Sequence, residues 1–250
     1  MKLKNKVAII TGAGSGNGRA ISIEFAKEGA KVVLINRTKE KSDKTLEMIK
    51  EFNGEGISIG ADVTDSKGFK AAIDQAINHY GKVDIMVNNA GIFDGQETYQ
   101  TTDEETFDKI IEVNLKGVFL GTKYILDHMI DNEYGIVINI SSVAGIRGGL
   151  ASPAYTASKH GIIGLTGDLA TKHGHQGIRA LAICPGMIET SMTEDMLEDP
   201  SEETKAIIES IPLKRVGQAE EIAQLALFLA SDDSKYINGA HIVIDGGMTT

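Results

Sequence analysis

The stretch Val7-Ala8-Ile9-Ile10-Thr11-Gly12-Ala13-Gly14-Ser15-Gly16-Asn17-Gly18-Arg19 joins an apolar run to a glycine-rich loop, and a helical pattern follows it. Glycine tolerates positive φ and lets a phosphate group approach the backbone without a Cβ in the way. The first turn of the following helix presents free N–H groups and a positive dipole end to such an anion. The stretch therefore predicts a strand, a phosphate-binding loop and a helix in succession.

This loop departs from the G-x-G-x-x-G pattern of many dinucleotide-binding loops, because Asn17 occupies the third glycine position when the pattern is counted from Gly12. It fits T-G-x-x-x-G-x-G instead, with Thr11 followed by glycines at 12, 16 and 18. An ordinary strand–helix turn is the alternative interpretation. The strand–loop–helix context favours the nucleotide-binding interpretation.

Apolar, β-branched runs alternate with longer amphipathic stretches along the whole chain. The predicted strands are Val7–Thr11, Val32–Ile35, Ile57–Gly60, Ile85–Asn88, Ile136–Ile140, Ala180–Cys184 and His241–Ile244. The predicted helices lie near residues 18–28, 39–52, 66–80, 103–131, 155–173, 201–210 and 219–230. This alternation predicts an α/β fold with a single Rossmann-type, doubly wound, parallel seven-stranded sheet and helices on both faces. The absence of linker-like or repeated sequence favours one domain, residues 1–250, that carries both cofactor binding and catalysis.

The net charge, the cysteine count and the length of the apolar runs indicate which partners and which compartment to expect. Lys plus Arg number 25 and Asp plus Glu number 35, which gives a net charge of −10. Such a surface repels nucleic-acid phosphates and anionic membranes, so we expect neither as a partner. The single cysteine, Cys184, cannot form an internal disulfide, and no apolar run approaches the roughly 18 residues of a membrane span. We therefore expect a cytoplasmic protein.

Polar segments follow four of the later predicted strands: Asp62-Val63, Asn88-Asn89-Ala90-Gly91, Ser141-Ser142 and Pro185-Gly186. The carboxyl ends of parallel strands lie at one edge of the sheet, where ligands bind in open α/β folds. We expect these segments to meet the glycine-rich loop at one crevice.

The end of the second strand indicates which dinucleotide binds. A carboxylate at this point would accept a hydrogen bond from the adenosine 2′-hydroxyl and repel a 2′-phosphate. The chain has Asn36, which is uncharged, and Arg37, a bidentate phosphate donor. This pair favours NADP over NAD, although NAD remains possible and Arg37 is alternatively an ordinary solvated charge.

Tyr155 and Lys159 have the i, i+4 spacing that places two side chains on one face of a helix. Ionising a phenol near neutral pH costs about 4 kcal/mol because its pKa is about 10. An ammonium about 4 Å away supplies about 4 kcal/mol at an effective dielectric constant of 20. The pair is therefore a candidate acid/base couple, with a plain helix-surface pair as the alternative.

Taken together, these motifs resemble those of the short-chain dehydrogenase/reductase family, over essentially the whole chain. The matching residues are Thr11-Gly12 with Gly16 and Gly18, Asn88-Asn89-Ala90-Gly91, Asn114, Ser142, Tyr155-Thr156-Ala157-Ser158-Lys159, Pro185-Gly186 and Asp245-Gly246-Gly247. Ser142 precedes Tyr155 by 13 residues, as in the family pattern, so Ser142 rather than Ser141 takes the catalytic position.

The resemblance implies four catalytic residues. Tyr155 is the general acid in carbonyl reduction and the base in alcohol oxidation. Ser142 stabilises the substrate oxygen, Lys159 lowers the pKa of the tyrosine and holds the nicotinamide ribose, and Asn114 positions a water.

The predicted cofactor contacts come from the loop, from the strand ends and from this resemblance. They are Gly12, Ser15, Gly16, Asn17, Gly18, Asn36, Arg37, Asp62, Val63, Asn89, Ala90, Gly91, Tyr155, Lys159, Pro185, Gly186, Ile188 and Thr190. The family commonly has an aliphatic residue where this chain has Asn17, so packing beneath the loop is an open point. The six histidines are scattered, and we expect no metal site.

Residues 187–212 are expected to form a flap over the substrate. Its apolar residues are Met187, Ile188, Met192, Met196, Leu197, Ile207 and Ile208, and its acidic residues disfavour a polyanionic substrate. The predicted reaction is hydride transfer between the nicotinamide and a ketone or secondary alcohol of a small to medium, uncharged substrate.

Three alternative functions remain open at this point. The first is a 3-oxoacyl-carrier-protein reductase, which the resemblance makes less favourable because Asn132-Glu133-Tyr134 and Gln176 stand where those enzymes have basic residues. Arg147 and Lys172 could compensate. The second is a sugar or polyol dehydrogenase, and the third is an NADP-sensing regulator without turnover.

Two helical stretches, 103–131 and 155–173, are unusually apolar or rich in small residues. Deep burial within one subunit and a symmetric subunit interface both explain this pattern, and the interface is slightly favoured. The family resemblance points to a homotetramer.

Overall fold

The strands of the computed structural model, which describes residues 1–250 apart from the side chain of Glu203, follow the predicted alternation. They are β1 Val7–Thr11, β2 Lys31–Asn36, β3 Glu55–Gly60, β4 Ile85–Asn88, β5 Gly135–Ile140, β6 Ile178–Pro185, β7 Ile188–Glu189, β8 Gly217–Gln218 and β9 His241–Ile244. The α-helices are α1 Gly16–Lys27, α2 Lys39–Glu51, α3 Ser66–Tyr80, α4 Glu104–Ile111, α5 Gly117–Asp131, α6 Pro153–His173, α7 Glu194–Glu198, α8 Glu202–Ser210 and α9 Ala219–Ala230.

Seven strands form one parallel sheet in the order β3-β2-β1-β4-β5-β6-β9. This arrangement confirms the predicted doubly wound α/β fold. The chain reverses its direction of winding between β1 and β4, where Ala8 pairs with Ile85. A crevice opens at such a reversal, beyond the carboxyl ends of the strands, and it is the usual ligand position in this architecture.

The central strands are apolar on both faces because each face is covered by helices. Ala8 and Ile10 of β1 face a core that includes residues of α1, α2 and α9, whereas Val7 and Ile9 face a second core that includes residues of α3, α5 and α6. Side chains alternate between the two faces of a strand, so a strand buried on both sides must be apolar at every position. This requirement accounts for the continuous apolar runs in the sequence.

The predicted helix over residues 103–131 is not a continuous α-helix. A π-helical turn, Glu112–Lys116, separates α4 from α5, and Asn114 lies at its centre. Single π-turns inside α-helices are rare and are frequent at functional sites. Hydrophobic periodicity could not reveal this turn, because one inserted residue barely disturbs an apolar pattern that already extends around the helix.

The expected flap, 187–212, contains more regular secondary structure than the one helix, 201–210, predicted within it. It contains β7, α7 and α8, and Ile188 of β7 pairs with Gly217 of β8 in a separate two-stranded ribbon. Two-residue strands and a five-residue helix are too short to give a periodic signal, so sequence reasoning missed β7, β8 and α7.

Among the described residues, no helix combines the length and the apolar character that crossing a bilayer would require.

Candidate active site

A cavity of about 440 Å³ lies at the carboxyl edge of the sheet, beside the reversal between β1 and β4. Most of the residues predicted from sequence line it. These are Gly12, Ser15, Gly16, Asn17, Asn36, Arg37, Asp62, Val63, Asn89, Ala90, Gly91, Ser142, Tyr155, Lys159, Pro185, Gly186, Ile188 and Thr190. Gly18 and Asn114, also predicted as site residues, are buried behind the cavity wall.

Thr11 joins the two strands that flank the reversal. Its hydroxyl accepts hydrogen bonds from the backbone N–H groups of Asn89 and Ala90, at 3.0 Å each, and donates to the carbonyl oxygen of Val87 at 3.3 Å. The buried threonine therefore fixes the loop after β4 against the end of β1. This contact explains why a threonine precedes the glycines of the loop.

The glycine-rich loop leaves no space for side chains at two of its positions. Gly12 has φ +66°, and a Cβ there would lie 2.8 Å from Nδ2 of Asn89. A Cβ on Gly18 would collide with the carbonyl oxygen of Gly12. Gly18 therefore allows α1 to pack closely against the loop, and it lies outside the residues that line the cavity.

The loop and the start of α1 fit the diphosphate of a dinucleotide. Ser15, at the N-cap of α1, makes no side-chain capping hydrogen bond, so the first N–H groups of the helix lack a side-chain acceptor. The N-terminus of a twelve-residue helix also attracts negative charge. Asn17 lines the cavity in this first turn, and its buried Oδ1 has no hydrogen-bond partner among the side chains and backbone that the structure describes.

Two cationic side chains lie at the end of the cavity near β2. Arg37 is 72% exposed, and its Nη1 lies 3.9 Å from Oδ2 of Asp62. Lys41, in the first turn of α2, also lines the cavity and was not predicted as a site residue. Its position four residues after Arg37 is the only sequence signal that could have identified it. These two cations can bind an additional phosphate group at this end.

Tyr155 and Lys159 lie together on α6, as their spacing predicted. The Lys159 Nζ donates a hydrogen bond to the carbonyl oxygen of Ile140 at 2.9 Å and lies 5.3 Å from the centroid of the Tyr155 ring. Phe93 packs edge-on against the tyrosine, with ring centroids 5.0 Å apart. The loop after β4 and the end of β5 therefore hold this pair in position.

Burial controls the ionisation of both groups. Burial is the main reason that the pKa of Tyr155 is raised to about 12. A hydrogen bond from Ser142 lowers this pKa, and the charge of Asp94 adds a smaller increase. Burial lowers the pKa of Lys159 to about 8. The attraction between a phenolate and the Lys159 ammonium therefore acts against a desolvation cost that the spacing of the two residues does not reveal.

The two adjacent serines after β5 have different roles. Ser141 is buried, and its hydroxyl donates a hydrogen bond to the backbone carbonyl of Lys159 at 2.8 Å. The hydroxyl of Ser142 accepts from the Ala144 N–H at 3.1 Å and interacts with Tyr155. Ser141 thus supports α6, and Ser142 is the serine placed beside the phenol.

Asn114 is fully buried and bound to the loop after β4. Its Oδ1 accepts from the Ile92 N–H at 2.8 Å, and its Nδ2 donates to the Ile92 carbonyl at 2.9 Å. A Cβ on Gly91 would lie 3.3 Å from the Asn114 Oδ1 and 3.7 Å from the Lys159 Nζ. Asn114 therefore holds the loop after β4 from behind the cavity wall, and a water-positioning role remains a prediction.

The end of the cavity beyond Tyr155 is mostly apolar. Of the predicted flap residues, Met187, Ile188, Met192, Met196 and Ile207 line it, whereas Leu197 and Ile208 do not. Residues that the sequence did not indicate also line it: Phe93, Gln96, Leu150 and Met248. Met248 comes from the C-terminal turn, which only the tertiary structure brings to the flap.

The arrangement places a phenol, a hydroxyl and an ammonium around one cavity, next to a loop suited to a diphosphate. A phenol and a hydroxyl that both face one carbonyl oxygen can donate hydrogen bonds to it, and the phenol can also transfer a proton. In the part of the chain that the structure describes, no group of three or more His, Cys, Asp or Glu side chains is arranged to hold a metal ion.

Comparison with known proteins agrees with this geometry. A family model described as enoyl-(acyl carrier protein) reductase matches residues 12–249. The 3-oxoacyl-[acyl-carrier-protein] reductase of Thermotoga maritima is 41% identical over 248 residues, which cover 99% of this chain and 99% of that protein.

Two solved structures show the same fold over the whole chain. The crystal structure of levodione reductase has a TM-score of 0.94 and 38% identity, and the match covers 98% of each chain. A structure with bound NADP from Agrobacterium tumefaciens, described provisionally as a 2-deoxy-D-gluconate 3-dehydrogenase, has a TM-score of 0.90 and 37% identity, with 99% of this chain and 97% of that one covered. With its glycine-rich loop and its Tyr155–Lys159 pair, the chain belongs to the short-chain dehydrogenase/reductase family of NAD(P)-dependent oxidoreductases.

Proposed function

We propose that the protein is an NADP-preferring enzyme that reduces a ketone, or oxidises the corresponding secondary alcohol, on a small to medium, uncharged substrate. One observation carries this proposal: Tyr155 and Ser142 face one cavity, with the Lys159 ammonium beside the phenol and the glycine-rich loop at the same sheet edge. A single domain then performs both cofactor binding and catalysis.

In the proposed mechanism, a bound nicotinamide supplies the hydride for reduction and accepts it in the reverse direction. Tyr155 donates its phenolic proton to the carbonyl oxygen, and Ser142 donates a hydrogen bond to the same atom. Burial keeps the phenol protonated, with a pKa of about 12, which suits a proton donor. Lys159 stabilises the phenolate that remains, and the Ile140 carbonyl holds the ammonium in position.

The preference for NADP rests on the charges near β2. Asn36 donates its side-chain N–H to the Thr38 carbonyl at 2.8 Å and brings no negative charge to the site. Arg37 and Lys41 supply two cations that a 2′-phosphate would neutralise. NAD would leave both without that partner, so we propose that it binds more weakly.

The substrate proposal rests on the distribution of charge in the cavity. Among the described lining residues, the charged side chains are Arg37, Lys41, Asp62 and Lys159, and the flap end contributes none. A charged substrate would lose hydration there without gaining an ionic partner. An uncharged ketone with apolar substituents fits this lining.

The alternatives differ in what supports them. One relative, from Thermotoga maritima, is named a 3-oxoacyl-carrier-protein reductase. This chain has Glu133 after α5 and Gln176 after α6, where the resemblance to those enzymes would place basic residues. Lys172, which could compensate, is already paired with Asp168 at 2.8 Å. The similarity to the A. tumefaciens structure supports a sugar or polyol dehydrogenase as the second alternative. A regulator without turnover would have no need for a buried lysine beside a phenol.

We also propose a homotetramer in the cytoplasm. Phe107 of α4 and Phe119 of α5 are 40% and 46% exposed, and a Cβ on Gly164 of α6 would meet nothing within 4 Å. A second apolar surface includes Phe228 of α9 and Val243 of β9, which are 37% and 39% exposed. Two separate self-complementary surfaces produce a tetramer with dihedral symmetry. The single free thiol of Cys184 fits a reducing compartment.

Replacing Tyr155 with phenylalanine removes the proposed proton donor but keeps the ring that packs on Phe93. We expect Tyr155→Phe to lower kcat by at least about 10²-fold across a panel of ketones and secondary alcohols, while the Kd for NADPH stays near that of the wild type. Tyr236→Phe, at a fully exposed tyrosine, is the matched control. Near-normal turnover by Tyr155→Phe would remove Tyr155 from the chemistry.

Removing the Arg37 guanidinium should reduce the preference of the enzyme for NADPH over NADH. We expect Arg37→Ala to reduce the ratio of NADPH to NADH affinity by about tenfold, since a charge-assisted hydrogen bond to the 2′-phosphate is lost. The Kd values of both cofactors, measured by nucleotide fluorescence, give this ratio. Lys44→Ala, at an exposed lysine of α2 outside the cavity, should leave it unchanged. A wild type that prefers NADH would refute the assignment.

Lys159 is expected to reduce the stability of the fold. Burial lowers the pKa of Lys159 from 10.5 to about 8. Below pH 8 the lysine is protonated in both the folded and the unfolded chain, so the buried charge destabilises the folded state by its full cost. As the pH rises from 8 to 10.5, the folded state no longer carries this charge and the destabilisation disappears. We expect Lys159→Met to lose turnover but to raise the free energy of unfolding near neutral pH by about 2 kcal/mol, after the loss of one hydrogen bond.

Denaturant unfolding at several pH values checks this expectation. The advantage of Lys159→Met over the wild type should shrink between pH 8 and 10.5. Lys172→Met, at an exposed lysine of the same helix, should change stability little. A Lys159→Met protein less stable than the wild type at neutral pH would show that the buried ammonium does not destabilise the folded state.

The tetramer is checked by the mass of the particle in solution, measured by sedimentation or light scattering. We expect four copies of the chain, and Phe119→Asp should lower that number by placing a charge in one apolar surface. A monomer at the working concentration would rule out both proposed interfaces.

A further inference from the structure

Two side chains hold the glycine-rich loop from behind through its backbone carbonyl groups. The Ala13 carbonyl accepts a hydrogen bond from the hydroxyl of Thr45, in α2, at 2.9 Å. The Gly14 carbonyl accepts one from Nη2 of Arg19, in the first turn of α1. The Nε of Arg19 also donates to the Thr45 hydroxyl oxygen at 3.2 Å. One connected pair of side chains therefore fixes two successive carbonyls of the loop.

This pair lies outside the cavity. Thr45 is fully buried, Arg19 is partly buried, and neither belongs to the cavity lining. The loop lies directly on α2, since a Cβ on Gly14 would be 2.6 Å from the Cβ of Lys41. Arg19 and Thr45 can therefore influence a bound ligand only through the loop that they hold.

The fixed carbonyls determine the direction of two N–H groups. In a trans peptide unit, the C=O and the N–H point in opposite directions, and the chain contains no cis peptide bond. The Ala13 carbonyl shares its peptide unit with the Gly14 N–H, and the Gly14 carbonyl shares its unit with the Ser15 N–H. Because both carbonyls face Arg19 and Thr45, both N–H groups point to the other side of the loop.

These two N–H groups are unused within the protein. Neither of them donates a hydrogen bond to any described residue, and Ser15 lines the cavity. Exposed backbone N–H groups in a concave loop are donors for anions such as phosphate. The loop therefore presents donors whose direction is set before a ligand arrives.

We propose that Arg19 and Thr45 are positioning residues for cofactor binding, because they hold these two loop N–H groups toward the phosphate oxygens of a dinucleotide. A donor that is already oriented loses little conformational freedom on binding, which increases affinity. The inference rests on the proposed function to the extent that a dinucleotide binds at this loop, and it does not depend on the substrate or on turnover.

Three substitutions separate the hydrogen bonds of this pair from the charge of Arg19. Arg19→Lys keeps the positive charge but loses the planar fork that reaches Gly14 and Thr45 together. Thr45→Val keeps the shape of the side chain and removes its hydroxyl without changing any charge. Thr45→Ser keeps the hydroxyl and is the matched control for Thr45→Val.

The measured quantities are the Kd values of NADPH and NADH, from nucleotide fluorescence, and of adenosine, from displacement of NADPH. We expect Arg19→Lys and Thr45→Val each to raise the Kd of both dinucleotides by about tenfold, as for the loss of one hydrogen bond to a charged group. The ratio of NADPH to NADH affinity should stay at the wild-type value, in contrast to Arg37→Ala. Adenosine has no phosphate group, so its Kd should not change.

Control variants and a folding measurement complete the test. Thr45→Ser should bind both dinucleotides nearly as tightly as the wild type does. Lys27→Gln, which removes an exposed charge from the last turn of α1, should also leave the Kd values unchanged. Circular dichroism confirms folding, and Arg19→Lys, at the more exposed residue of the pair, decides the test if Thr45→Val does not fold.

Three results would overturn the inference. The first is a wild-type Kd for NADPH in both Arg19→Lys and Thr45→Val. The second is wild-type binding by Arg19→Lys together with weaker binding by Arg19→Gln, which would assign the effect to charge alone. The third is an equal loss of adenosine binding, which would indicate a general disturbance of the fold. A wild type that binds neither dinucleotide would refute the proposed function as well, so the two failures are distinguishable.

Discussion

The hydrogen bond between the Lys159 ammonium and the Ile140 carbonyl, at the carboxyl edge of the sheet, is the contact on which the proposed function depends. Among the described residues, this carbonyl is the only hydrogen-bond partner of the ammonium, and burial lowers the pKa of Lys159 to about 8. Burying a charged ammonium costs free energy, and one neutral hydrogen-bond acceptor compensates only part of that cost. In the proposed function, the position of Lys159 beside the Tyr155 ring compensates for the remainder, because the ammonium stabilises the phenolate as it forms.

The surrounding structure holds Tyr155 and Lys159 near the glycine-rich loop. Thr11 fixes the loop after β4 to the end of β1, and this loop provides the Phe93 ring that packs on Tyr155. Asn114, in the π-turn, binds the same loop through both of its amide atoms. The polar side chains behind the cavity wall thus position backbone segments, while those that face the cavity are available for ligands. This division explains why several conspicuous motif residues do not line the cavity themselves.

The fold and the proximity of Tyr155 to Lys159 could be predicted from the sequence, because both depend on local patterns. Continuous apolar runs fix a sheet buried on two sides, and an i, i+4 spacing puts Tyr155 beside Lys159. The ionisation of that pair could not be predicted, since it depends on how deeply the tertiary structure buries both side chains. Likewise, Met248 reaches the flap only through the C-terminal turn.

In the proposed mechanism, Tyr155 and Ser142 act on one substrate oxygen while Lys159 supports the phenol. A crystal structure of the wild-type protein with NADP and a ketone would show whether these groups meet the substrate in this way. We expect the ketone oxygen within hydrogen-bonding distance of both the Tyr155 Oη and the Ser142 Oγ, with the Lys159 ammonium still bound to the Ile140 carbonyl. A ketone oxygen bound to other groups, or a Tyr155 side chain turned out of the cavity, would refute this mechanism.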